Sequence, residues 1–226
     1  MDLRLISGRR WWAPLLSLIL ASALCGALIV VRAVYAGHIA YKFFVWNLFL
    51  AWIPLALAIV LHARRELGRR WSLLDAGYGL LWFLFFPNAP YIVTDLVHLH
   101  ARPGVPYWYD IISVMAFALT GLLLGCLSLY LVQEVVRDGL GRACGWVFAL
   151  LMLALSSFGI YLGRFVRWNS WDALTDPLDT LTGAAKIANP FTNPQAAAFS
   201  ATFFALALVC YLIVYSFTHL HRRPES

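Results

Sequence analysis

Apolar residues in this chain come in long unbroken runs, without the one-sided stripe of a soluble helix or the alternation of a half-buried strand. A bilayer core of about 30 Å is crossed by roughly 20 apolar residues in helical form. Runs of that length predict six helices, at 12–31, 43–61, 73–93, 111–133, 143–163 and 196–217. Only short polar connections lie between them. The expected fold is therefore all-α, a polytopic transmembrane bundle forming a single membrane domain over 1–226.

Composition agrees with lipid as the solvent: 62% of residues are hydrophobic, 12% are charged and the mean hydropathy is +0.75. A soluble domain of this size needs about twice that share of charge to coat its surface. The first run has the ingredients of a secretory leader, with Arg4, Arg9 and Arg10 ahead of it and Ala21-Ser22-Ala23 within it. It continues to Val31, however, longer than a leader's apolar core, which favours an uncleaved anchor. Cys25, Cys126, Cys144 and Cys210 lie in or beside apolar runs with no Cys-x-x-Cys pair, and read as small core residues.

The net charge of +6 raises nucleic acid as a partner, but its distribution explains it as topology. Of the 17 Lys and Arg residues, eleven fall on the segments that share a side with the N-terminus, and six on the other side. Cytoplasmic loops carry the excess of positive charge, so both termini are expected inside. The run from His62 through Arg64, Arg65, Arg69 and Arg70 is then an anchor on anionic headgroups, and no nucleic-acid partner is called for.

Within the spans, Gly121 and Gly125 form one Gly-x-x-x-Gly pair and Gly159 and Gly163 another, spacing that lets helices approach closely, within one chain or between two copies. Pro54 is expected to kink the second helix, and Ser72 with Asp75 to cap the third. Toward its end the third helix meets Phe86-Pro87-Asn88-Ala89-Pro90, where two prolines remove two backbone donors. The helix must break there, and Asn88 is placed to satisfy a freed carbonyl.

Polar chemistry gathers after the break and after the fifth helix. The first cluster holds Thr94, Asp95, His98, His100 and, at the far end of the same loop, Asp110. A helical turn would put Asp95 and His98 on one face, whereas an extended segment would align His98 with His100. The second cluster holds Arg164, Arg167, Trp168, Asn169, Trp171 and Asp172, in which Arg164 and Arg167 on a helical turn would share a face. Both clusters follow odd-numbered helices, so both are expected on the extracytoplasmic side.

Three readings of that composite site stand open. Its groups pair with one another, for instance Arg164 with Asp95, to staple the helix ends. Alternatively, Arg164 and Arg167 clamp an anionic small molecule or lipid headgroup, with Asp95 and Asp172 orienting them, which suits binding or transport. Or Asp95, His98 and Asp172 hold a metal in a membrane-embedded enzyme that acts on a lipid-linked substrate. A scaffold subunit packing through its glycine faces is a further alternative. No phosphate-binding loop, dinucleotide turn, His-Glu-x-x-His helix or Gly-x-Ser-x-Gly elbow is present, so no cofactor is called for.

The strings FPNAPYIVTDLVHL and GIYLGRFVRWNSWD, set among six apolar runs, make the chain similar to the bacterial membrane proteins catalogued as domain of unknown function 1361. The resemblance runs from about the second helix to the sixth. It implies a multi-pass protein of the bacterial inner membrane and brings no reaction, substrate or cofactor.

Overall fold

The computed structural model describes residues 12–39, 41–68, 72–100, 104–168, 176–189 and 193–219. Among them the chain is helical, and six helical segments are long and apolar enough to cross a membrane: Trp12–Ala36, Lys42–Glu66, Leu73–His98, Tyr107–Leu140, Arg142–Val166 and Pro194–Thr218. The protein is thus a multi-pass membrane protein. The elements are α1 (Trp12–Ala36), α2 (Lys42–Glu66), α3 (Leu73–Phe85), a one-turn α4 (Asn88–Tyr91), a 3-10 helix (Ile92–His98), α5 (Tyr107–Leu140), α6 (Arg142–Tyr161) continuing as a π-turn (Leu162–Val166), α7 (Pro177–Ala188) and α8 (Pro194–His219).

Several spans outrun their predicted limits, because charged residues taken as boundaries are instead carried inside helices by a partner. α1 continues past Val31 through Arg32, and α5 extends beyond 111–133 at both ends, through Asp110 and Arg137. At 34 residues α5 is about 51 Å long, well beyond the hydrocarbon core. Pro54 is buried within α2 and does not interrupt it.

α5 is the axis of the bundle. It packs against α1, α2, α4, the 3-10 helix, α6 and α8. Of its most apolar stretch 67% is buried inside the protein, against 17% for α1 and for α8, which turn most of their surface to lipid. Trp82 fixes α3 to it, donating from Nε1 to Ser128 Oγ at 2.7 Å and stacking on Phe86 and Phe148. The Tyr211 hydroxyl of α8 donates to Gln133 Oε1 of α5. These hydrogen bonds matter because apolar contact alone gains little between helices already dissolved in hydrocarbon.

Contacts between helix ends show the alternation of direction. The C-terminal part of α1 meets the start of α5, the end of α2 meets the start of α3, and Gly145 near the start of α6 lies against Arg137 near the end of α5. The end of the bundle bearing the first residues of α1 and the last of α8 is called proximal here, and the opposite end distal. Proximally, Asp75 accepts from the Ser72 backbone N–H at 2.9 Å, as the capping expectation holds, and also pairs with Arg64 Nε at 2.5 Å. Glu134 pairs with Arg137 one turn on. The cysteines are partly as expected: Cys25 and Cys126 are buried and Cys210 is half-buried, but Cys144 is exposed.

Candidate functional site at the break in the third span

The break forms where the prolines require it. α3 ends at Phe85, and the chain re-forms one turn of α-helix before tightening into the 3-10 segment. Backbone groups freed in lipid must find partners. Asn88 Nδ2 donates to the Phe85 carbonyl at 3.1 Å, and the Ala89 and Tyr91 N–H groups donate to Phe86 and Pro87 at 3.2 and 3.0 Å.

Both Gly-x-x-x-Gly pairs face this break, one from α5 and one from α6 and its π-turn. A Cβ on Gly121 would lie 2.7 Å from the Ala89 carbonyl oxygen and 2.8 Å from Ile92 Cδ1, and one on Gly125 would lie 3.3 Å from Ala89 Cβ and Pro90 Cδ. On α6 the fit is looser: a Cβ on Gly159 would be 3.8 Å from Pro87 Cγ, and one on Gly163 3.6 Å from Tyr91 Cε2. The pairs therefore pack within the chain, against a kinked segment with its backbone pressed onto α5.

Where α6 stands off, a cavity of about 270 Å³ opens, lined by Trp46, Asn47, Leu50, Pro87, Asn88, Tyr91, Gly159, Ile160, Gly163 and Trp168. Asn88, expected from sequence, is among them. Trp46, Asn47 and Tyr91 were not singled out, since an amide or phenol in an apolar run carries no charge to attract notice. Trp168 lines the cavity and packs its ring on Gly183 of α7.

Beside the cavity, the 3-10 turn brings Asp95 and His98 to one side, three residues apart, as that geometry requires. Arg164 in the π-turn joins them. Its Nη2 pairs with Asp95 Oδ1, its Nη1 lies 2.9 Å from His98 Nε2, its Nε donates to Thr94 Oγ1 at 3.1 Å, and its guanidinium sits 4.7 Å over the Tyr91 ring. A guanidinium only donates, so His98 Nε2 is the acceptor in this contact. Asn47 Nδ2 donates to the other Asp95 oxygen at 2.7 Å, and Asp95 is 1% exposed. The expected stapling of Arg164 to Asp95 is thus present, across spans three and five.

Two expected groupings are not formed. Arg167 does not share a face with Arg164: it follows the π-turn in a left-handed conformation at φ 64°, its backbone N–H donates to the Leu162 carbonyl, and its exposed side chain has no hydrogen-bond or ion-pair partner among the described residues. Asp110 does not join Asp95 and His98. It lies in the first turn of α5, completely buried, and accepts from Arg32 Nε at 2.7 Å and Nη2 at 3.1 Å, with the Tyr41 hydroxyl 3.5 Å away. Arg32 had been counted only as a loop charge; its signal in the sequence was an arginine directly following an apolar run. Asn169 and Asp172 lie outside the described residues. Among the described residues no three His, Cys, Asp or Glu side chains converge as a metal site, and Asp95 and His98, both considered for a metal, turn to Arg164.

Residues 46–212 match the model of a family described as proteins of unknown function, DUF1361. The chain belongs to this family. No curated protein and no solved structure matches it. The match takes in the break, both glycine pairs, the cavity and the Asp95–Arg164 cluster, and it leaves out α1 with Arg32.

Proposed function

We propose that this membrane protein binds the polar part of a small ligand, drawn from the surrounding leaflet or from the adjoining water, in the distal cavity. The observation that carries the reading is the cavity itself: two amides, a phenol and two indoles line it at a helix break, beside apolar Leu50, Pro87 and Ile160. Irregular backbone is tolerated at membrane depth where it is buried in protein or lines a polar space, and here it does both. Pockets for whole drug-sized molecules run from about 300 Å³ upward. A cavity of about 270 Å³ suits a headgroup, with any acyl chain left in lipid.

In this reading the Asp95–Arg164 pair is the wall of the site, because each guanidinium nitrogen already has a partner and both carboxylate oxygens accept. Arg167, beside Trp168 in the chain, is an exposed cation placed to face headgroups. The arginine count supports an orientation with the distal end extracytoplasmic, and the family resemblance supports a bacterial inner membrane. The test is mass spectrometry of protein extracted with its membrane. Wild type is expected to retain a stoichiometric small molecule that is absent from a Gly159→Ala/Gly163→Ala double variant of equal thermal stability. Equal retention by both proteins, or none by wild type, sinks the reading.

A further inference from the structure

The hydrogen-bonding partners of the two cavity amides specify what the cavity presents. Asn47 Nδ2 faces the Asp95 carboxylate at 2.7 Å, and Asn88 Nδ2 faces the Phe85 carbonyl at 3.1 Å. Neither partner can donate, so neither amide can be flipped without setting oxygen against oxygen. Both side-chain carbonyl oxygens are therefore left over, four acceptor lone pairs in all, against one remaining N–H on each amide. The Tyr91 hydroxyl and the Trp46 and Trp168 indole N–H groups have no partner among the described residues.

Charge narrows the ligand further. Among the described residues no Asp, Glu, Lys or Arg lines the cavity, and the adjoining Asp95 and Arg164 are paired with each other. An ion entering a space with no counter-charge loses its hydration uncompensated. A cation would in addition meet a Tyr91 ring whose face already carries the Arg164 guanidinium. A neutral group that both donates and accepts, with flat apolar faces to lie against Tyr91 and Trp168, fits all of these conditions.

We infer that the group held in the distal cavity is a neutral, hydroxyl-rich one, a glycosyl unit either free or carried on a lipid. The inference rests on the cavity being the binding site proposed above. Its hydroxyls donate to Asn47 Oδ1 and Asn88 Oδ1 and accept from the phenol and indole, while its carbon faces stack on the aromatic walls.

The test uses full-length protein in nanodiscs free of glycosidic detergent, titrated separately with octyl glucoside, octyl sulfate and octyl trimethylammonium below their micelle concentrations, and with free glucose. Binding is read by native mass spectrometry. The glucoside is expected to bind at least tenfold more tightly than either ion, to be lost in Gly159→Ala/Gly163→Ala, and to weaken severalfold in Tyr91→Phe, which keeps the ring under Arg164. Free glucose equal to the glucoside identifies a soluble sugar, and a preference for the glucoside a lipid-borne one; both support the inference. If an ionic octyl probe binds best and is lost in the double glycine variant, the cavity reading stands and the glycosyl inference falls. If no probe shows binding that depends on the two glycines, both fall together.

Discussion

The two sides of the broken third span are built from the same motif to opposite effect. On the α5 side, Gly121 and Gly125 receive the break so closely that a Cβ at Gly121 would fall 2.7 Å from a backbone oxygen. On the α6 side, Gly159 and Gly163 stand back by ordinary van der Waals distance, and the space becomes a polar cavity. Close packing replaces the lost helical hydrogen bonds as a restraint on one side. On the other, that restraint comes from the Asp95–Arg164 pair with Asn47, Thr94 and His98. A Gly-x-x-x-Gly pair thus marks a place where backbones approach, and only the partner surface decides whether the approach is filled or left open.

The sharpest way to break this comparison is to remove the restraint on the cavity side. Arg164→Ala leaves Asp95 buried with only Asn47 against it, and is expected to cost about 3–5 kcal/mol, as for one partner of a buried pair. Thermal unfolding of the purified protein reads it, and the Arg164→Ala/Asp95→Asn double variant should recover much of the loss. Additive losses in that double variant would mean the pair does not act as a unit.

Next in size is the packed side. Gly121→Ala forces a methyl against Ala89 and Ile92 and is expected to cost about 1–3 kcal/mol, the usual range for overpacking. Gly125→Ala, whose Cβ contacts are 3.3 Å, should cost less, about 1 kcal/mol or under. Were Gly125→Ala the more damaging of the two, the seating of the break described here would be mistaken.

The smallest stability effects belong to the open side. Gly163→Ala meets Tyr91 and Trp168 at 3.6 and 3.7 Å and should shift stability by no more than about 0.5 kcal/mol, while reducing the cavity. A destabilisation as large as that of Gly121→Ala would show that α6 packs as tightly as α5. Arg167→Gln, at an exposed position whose side chain has no partner among the described residues, should leave unfolding within the same margin.

Much of the bundle was readable in the chain, because lipid imposes a coarse rule: long apolar runs must be helices with every backbone bond made internally. Six spans followed from that rule, and the break at Pro87 and Pro90 with the amide that caps it followed from proline chemistry, while the pairing of Arg164 with Asp95 was one of three readings the chain left open. Span limits were less legible, since Arg32 and Asp110 are polar by type but vanish into the bundle once paired. Asp110 looked like a companion of Asp95 because both lay in one loop by sequence; helix packing sent it to α1 instead.

What the sequence by itself determined is the set of spans, the place of the break and the family, because hydropathy, proline chemistry and recurring strings are local properties. The tertiary structure alone decided which groups meet. It placed four glycines from two helices on one break, paired Asp110 with Arg32 across 78 positions of chain, and lined a cavity with Asn47, Asn88, Tyr91 and Trp168 from two spans and the segment that follows a third. Those are matters of helix rotation and approach, set by side-chain packing between segments far apart in the chain.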